Sequence, residues 1–368
     1  VEAIVPYTNL YSQYKDAKKE IDSAIKFCIS GSHYIGGSVT EHFEQTIADY
    51  TGAKACASTS SGSTAILCAL LAAGVKPGDE IITTPHTFVS TSEAILQCGA
   101  RPVYVDIDWT YMIDLDKIAS AVTKKSKAIL FVDLYGQTPD ITKLKRIAKE
   151  YNLILIEDAA QSFGSSFKGK RVGSLVDLTC FSFNPVKNLG AMGDAGAVTG
   201  SKSLIEKVKT YRDHGRNNKW IYSTLGYNAR IDSMQAKILE AKLPYVDKWI
   251  ENTREKANCY TKELSDWFIK PVEIKNCYHT YHIYCIQVPR AKYRDAFIDY
   301  MKDNGVQCNI HYKVPMSKQP AYKKFVKNPC NISEKFCERI VSLPCYDSLT
   351  AKQQKHIITV ANKFKDTL

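Results

Sequence analysis

No apolar run in the 368-residue sequence approaches the roughly 18–20 residues that a helix needs to cross a bilayer, so a helical membrane protein is not expected. Residues 1–14 lack the charged-then-apolar pattern of a secretory signal, and the expected location is the cytoplasm. Internal repeats and low-complexity linkers are missing too, which points to tightly joined domains rather than a tethered array. Twelve cysteines are present, but no two are spaced Cys-x-x-Cys. In a chain of this size without a secretion signal they are not read as a disulfide framework. His279 and His282 sit in a Tyr-rich segment without carboxylates beside them. Packing is the default for such a pair, and no metal site is expected. Lys and Arg outnumber Asp and Glu by 49 to 38, a formal charge of +11, yet the positive residues form no block. Nucleic acid is therefore not an expected partner, whereas an anionic cofactor and an anionic substrate suit the balance.

What is present is alternation. Short apolar runs at 79–84, 102–106, 128–133, 153–157, 178–183 and 196–200 read as strands, several of them apolar enough to be covered on both faces. Helical patterns at 63–73, 90–98 and 141–151 lie between them. Strands alternating with helices predict an α/β domain with a mostly parallel central sheet. Residues 212–227 are polar and aromatic without a period and read as an ordered loop. A long amphipathic helix is predicted over 232–264, interrupted near Pro244. A strand at 282–288 and helices at 294–304 and 351–363 then suit a smaller α+β unit. The expected division is a large domain over 1–245 and a small C-terminal domain over 246–368.

Ligands of such sheets bind beyond the carboxyl ends of the strands, and four post-strand segments stand out. Ser58-Thr59-Ser60-Ser61-Gly62-Ser63-Thr64 leads into an apolar helix; its N–H groups could hold a phosphate, or the serines could simply cap the helix. Pro85-His86-Thr87-Phe88 offers an aromatic ring that could cover a planar ligand or join the core. Glu157-Asp158-Ala159-Ala160-Gln161 puts carboxylates at the mouth of a buried sheet, where a cationic partner is needed. A protonated pyridine nitrogen would be such a partner. Phe181-Ser182-Phe183-Asn184-Pro185-Val186-Lys187 ends a strand in a lysine. On the surface it would be an ordinary solvated charge; in a cleft it would be a nucleophile.

Together these segments resemble the DegT/DnrJ/EryC1/StrS family of fold-type I sugar aminotransferases. The likeness runs essentially end to end and includes Ser162-Phe163-Gly164, the run from Phe181 to Gly196, Gly226-Tyr227-Asn228-Ala229-Arg230, His311-Tyr312 and Ser342-Leu343-Pro344. It implies pyridoxal 5'-phosphate as cofactor, with pyridoxamine 5'-phosphate as its aminated form. Lys187 would carry the cofactor on its ε-amine and shuttle protons, and Asp158 would bond the pyridine nitrogen with Gln161 beside the ring hydroxyl. Gly62, Ser63 and Ser182 would grip the phosphate and Phe88 would stack on the ring. Asn228 would reach the phosphate from the neighbouring subunit of a homodimer, and Arg230, His311 and Tyr312 would face the substrates. Two departures are visible: Ser61-Gly62-Ser63 stands where the family usually has Asn-Gly-Thr, and Asp133 precedes Leu134-Tyr135-Gly136 where a histidine is common.

The resemblance implies transamination between L-glutamate and a nucleotide-linked keto-sugar. The run from Pro185 to Asp194 is closer to enzymes that aminate C-3 than to those that aminate C-4, with dTDP- and UDP-linked acceptors both open. A sugar dehydratase would lack the lysine at position 187, and a cofactor-binding regulator would need a DNA-binding module that residues 1–50 do not suggest.

Overall fold

A computed structural model describes residues 5–368. Its centre is a seven-stranded sheet of β1 (Ala55–Thr59), β2 (Glu80–Thr83), β3 (Arg101–Tyr104), β4 (Ser126–Val132), β5 (Ile154–Asp158), β6 (Leu178–Ser182) and β7 (Gly196–Gly200). The spatial order is β1-β7-β6-β5-β4-β2-β3. β7 runs antiparallel to both neighbours, and every other pairing is parallel. The α/β expectation therefore holds, with β7 as the antiparallel exception.

The sheet is covered on both faces, as its unbroken apolar strands require. Along β4, Ile129 and Phe131 join one core cluster while Ala128 and Leu130 join the other. Helix Gly62–Ala72 buries Ala65, Ile66, Leu67 and Leu70 on one side. On the other, helix Ile141–Glu150 presents only the stripe Ile141, Leu144, Ile147 and Ala148. All the carboxyl ends of the parallel strands open toward one edge of these layers, which is where the candidate residues gather.

Sequence reasoning missed β1. Its residues, Ala-Cys-Ala-Ser-Thr, are small and weakly apolar, and pairing with β7 holds them in strand form. The ordered loop at 212–227 contains a short hairpin, Arg216–Asn218 with Ile221–Tyr222. The predicted break at Pro244 is a 3₁₀ turn, Leu243–Tyr245, between helices Ser233–Lys242 and Val246–Glu263.

A separate core forms around Tyr260, Tyr284, Phe297, Val341 and Phe364. It encloses β8 (Tyr284–Gln287) and β9 (Ile340–Leu343), an antiparallel pair. Val5 belongs to this core and bridges Val306, so the start of the described chain returns to its C-terminal part. That return carries residues 7–13 across the seam between the two units. Among the described residues no helix is long and apolar enough to cross a membrane.

Candidate active site

Strand ends build the site from three sides. At the first, Ser61 caps helix Gly62–Ala72: its hydroxyl accepts from the Thr64 N–H at 3.2 Å, and the Thr64 hydroxyl accepts from the Ser61 N–H at 3.0 Å. The first-turn N–H groups of Gly62 and Ser63 have no carbonyl within the helix to bond, which makes them donors for an anion. Gly62 presses against Ser182, where a Cβ would meet the serine Cβ at 2.6 Å. Only glycine lets this helix end approach β6 so closely. The Ser63 hydroxyl lies 2.6 Å from that of Ser90. Of the two readings of the serine run, the structure shows the cap, at Ser61.

At the second side, Asp158 ends β5 and is buried. One carboxylate oxygen accepts from the Thr91 hydroxyl at 2.7 Å and the other from the Ala160 N–H at 3.3 Å. Burial pushes the Asp158 carboxyl up, while Thr91, Ala160 and the Lys187 ammonium pull it back toward the ionised form. Gln161 accepts from the Tyr135 N–H at 2.7 Å and donates to the Tyr312 hydroxyl at 3.1 Å, so its amide orientation is set from both ends. Phe88 is 54% exposed and tilts over Tyr312 with ring centroids 5.9 Å apart.

At the third, Lys187 sits in the turn beyond β6, its N–H donating to the Asn184 carbonyl at 2.9 Å. Burial lowers its ammonium from the usual range to about 8, with Asp158 acting in the opposite direction. His282 and His311 stand near it, and burial and the lysine charge keep both imidazoles below their ordinary range. The His311 Nδ1 lies 2.9 Å from the Ser342 hydroxyl.

Gly62, Ser63, Phe88, Asp158, Gln161, Ser182, Lys187, His311 and Tyr312 line one cleft of about 510 Å³. Asn228 and Arg230 do not line it. Arg230 donates to the Asn228 amide oxygen at 3.0 and 3.2 Å and pairs with Asp213 at 3.4 Å. Nor does Asn228 cap a helix, since the next one starts at Ser233 with Asp232 at its cap. Thr91, Tyr135 and His282 were not foreseen as site residues. Thr91 lies on a helix face that faces the sheet, and nothing local marks it as the partner of Asp158. Asp133 is buried, accepts from the Ser162 hydroxyl at 2.9 Å and neighbours Glu157, so burial raises both carboxyls. His279 is committed to packing: its Nδ1 accepts from the Tyr281 N–H at 3.0 Å and its ring stacks on that tyrosine.

The profile of the DegT/DnrJ/EryC1/StrS aminotransferase family matches residues 15–361. The chain belongs to this family. Among curated relatives, a pleiotropic regulatory protein of Geobacillus stearothermophilus is 39% identical, with 98% of each chain covered. The dTDP-3-amino-3,6-dideoxy-alpha-D-galactopyranose transaminase of Aneurinibacillus thermoaerophilus is 36% identical over 98% of this chain and 99% of its own. Among solved structures, DesV of S. venezuelae, in complex with a ketimine intermediate, matches with a TM-score of 0.96 at 30% identity, covering 100% of both chains. The ntda protein of Bacillus subtilis, with bound cofactor PMP, matches with a TM-score of 0.92 at 30% identity, covering 100% of this chain and 86% of that one. As a member of this family the chain is an aminotransferase with the fold-type I architecture.

Proposed function

We propose that this aminotransferase uses pyridoxal phosphate to move an amino group from L-glutamate to the C-3 ketone of a nucleotide-linked sugar. The observation that carries the reading is the placement of Lys187 in the same cleft as Asp158, with a helix N-terminus at the other end. The fit to the cofactor is specific. An anion end (Gly62, Ser63, Ser182), a flat aromatic wall (Phe88) and a buried carboxylate (Asp158) occur together in one cavity.

When bound, pyridoxal phosphate supplies an electron sink for the pair left behind as a proton leaves the substrate carbon. The protein's own groups do the rest. Asp158 would hold the pyridine nitrogen in its protonated form, and Thr91 and the Ala160 N–H keep that carboxylate in place. Lys187, lowered to about 8, is partly unprotonated near neutral pH and can take a proton and return it. Gln161, its amide oriented by Tyr135 and Tyr312, would hold the ring hydroxyl. The Aneurinibacillus relative, a 3-amino sugar transaminase, supports C-3 over C-4.

The active unit in this reading is a homodimer in which Asn228 and Arg230 serve the partner's cleft. Both lie outside their own, and near them the exposed side chains Trp220, Ile221, Tyr222 and Leu225 form an apolar surface that needs covering. A cytoplasmic setting suits twelve free cysteines. The discriminating experiment is a coupled assay with glutamate against dTDP- and UDP-linked 3-keto and 4-keto sugars. Amination at C-3 is expected; amination at C-4 alone, or dehydration without amination, would overturn the reading.

A further inference from the structure

A second chamber, about 340 Å³, opens on the far side of Lys187. It shares Lys187, His282 and His311 with the cofactor cleft, so a molecule reacting at the lysine position can extend into it. Its outer walls combine three elements that meet at the seam between the two units. These are the returning N-terminal segment with Tyr7 and Gln13, helix Val246–Glu263 with Trp249, and the loop after β9 with Asp347.

Charge decides what can enter. Apart from Lys187, the only ionisable acid or base on the lining that carries charge is Asp347, because both histidines are held neutral. Burial and the nearby Asp16 raise the Asp347 carboxyl to about 6, with the Ser12 hydroxyl and backbone N–H groups opposing, so it is still an anion near neutral pH. Two further cations lie behind its walls, and neither lines the chamber. Arg254 is 5.8 Å from the centre of the Tyr281 ring and pairs with Glu273. Lys242, which feels the Asp347 charge, donates its ammonium to the Gly190 carbonyl and lies 5.8 Å from the centre of the Trp249 ring. Asp16 is engaged by the Trp249 indole N–H at 2.8 Å. With Lys187 engaged by the cofactor, a second carboxylate placed here would meet Asp347 and find no other cation on the lining. That argues against the glutamate side chain and against the nucleotide diphosphate.

Uncharged hydroxyl-bearing groups meet the opposite conditions. Asn188 gives one of its two amide N–H bonds to the Phe163 carbonyl at 3.0 Å, which anchors the amide and leaves its oxygen for a donor. Among the described residues the Gln13 side chain has no hydrogen-bond partner. Tyr7 and Trp249 add ring surface for the C–H face of a sugar. With C-3 at Lys187, the nucleotide-bearing C-1 and the C-4 to C-6 side of the ring lie on different sides of the reacting carbon, and a chamber whose charged wall is Asp347 suits the uncharged side.

Building on the nucleotide-sugar reading above, we propose that this chamber receives the C-4 to C-6 end of the keto-hexose. Asp347 then selects sugars with a methyl or hydroxymethyl group at C-6 and rejects uronic acids.

The test uses three acceptors: a UDP-linked 2-acetamido-3-keto-glucose, its C-6 carboxylate counterpart, and a dTDP-linked 3-keto-6-deoxyhexose. Amination of each by the holoenzyme is compared as kcat/KM, and binding of the corresponding 3-amino products is measured by calorimetry. The better uncharged sugar should exceed the uronate by about 10²-fold. In Asp347→Asn that ratio should fall about tenfold or more, through the uronate improving. Gln13→Ala should weaken binding of the uncharged products several-fold, a readout that does not depend on folding of the first variant. A wild-type enzyme that takes the uronate equally well, an unchanged ratio in Asp347→Asn, or no binding of any of the three products would overturn the assignment. Glutamate-dependent release of 2-oxoglutarate, followed separately, reports on the aminotransferase reading itself. Its failure with the binding preference intact would strike that reading and not the chamber.

Discussion

Lys187 and Asp158 are set apart by their environments. Both are removed from water, but Asp158 keeps two hydrogen-bond donors while Lys187 has only the distant pull of a carboxylate. The lysine of the cofactor-free protein should therefore react with trinitrobenzenesulfonate with a midpoint near pH 8. Surface lysines should need pH values near 10. Peptide mapping of the label across pH distinguishes the two, and a midpoint above pH 10 for Lys187 would refute the burial argument. The linkage sign follows. Because the folded protein holds this proton less tightly than the unfolded chain, Lys187's contribution to the cofactor-free protein's stability rises with pH between about 8 and the unfolded value of 10.5. Replacing Asp158 with Asn removes the charge at unchanged size. Turnover should drop about 10²-fold, or about 3 kcal/mol of barrier, with cofactor still captured by Lys187; near-normal turnover would make the carboxylate structural. Lysine and aspartate were legible because Asp158 ends a strand and Lys187 follows one within a short turn, each an unusual residue at a buried sheet's edge. Thr91 was not, because its role depends on a helix packing against the end of a distant strand.

At the level of elements, the parallel strands were legible from near-continuous apolar runs that have no amphipathic alternative. β1 was not, because five small residues carry little apolar signal and owe their form to β7. The helix end proposed to hold the phosphate depends on one close approach between elements. Gly62→Ala would drive a methyl group into Ser182, whose Cβ would be 2.6 Å away. Overpacking of this kind costs about 1–3 kcal/mol. The expected result is a Kd for pyridoxal phosphate raised tenfold or more with the fold retained by circular dichroism, and an unchanged Kd would mean the helix end shifts freely. The departure at Ser61 also becomes intelligible here: a serine can fill the capping role toward Thr64, so the amide usual in the family is not needed for the helix to start.

For the whole molecule, the chain's return to its C-terminal unit and the placement of Asn228 outside its own cleft could not be read from local pattern. Both depend on contacts between residues far apart in sequence. Leu225 is 91% exposed and Trp220 is 78% exposed, a cost that a two-fold partner would remove. If Asn228 acts across the interface, Lys187→Ala and Asn228→Ala should each be nearly inactive. Mixed dimers would then carry both defects in one site and none in the other, and random pairing should restore roughly a quarter of wild-type activity. No recovery despite demonstrated subunit exchange would place Asn228 at its own subunit's site.

The central claim is that Lys187 is the residue through which this aminotransferase holds its cofactor. The direct measurement is borohydride reduction of the protein after loading with pyridoxal phosphate, followed by mass mapping of the lysine-containing peptides. The mass of the reduced cofactor should appear on Lys187 alone and vanish in Lys187→Ala. Label on a different lysine, or protein that takes up pyridoxal phosphate without any fixed label at Lys187, would contradict the account.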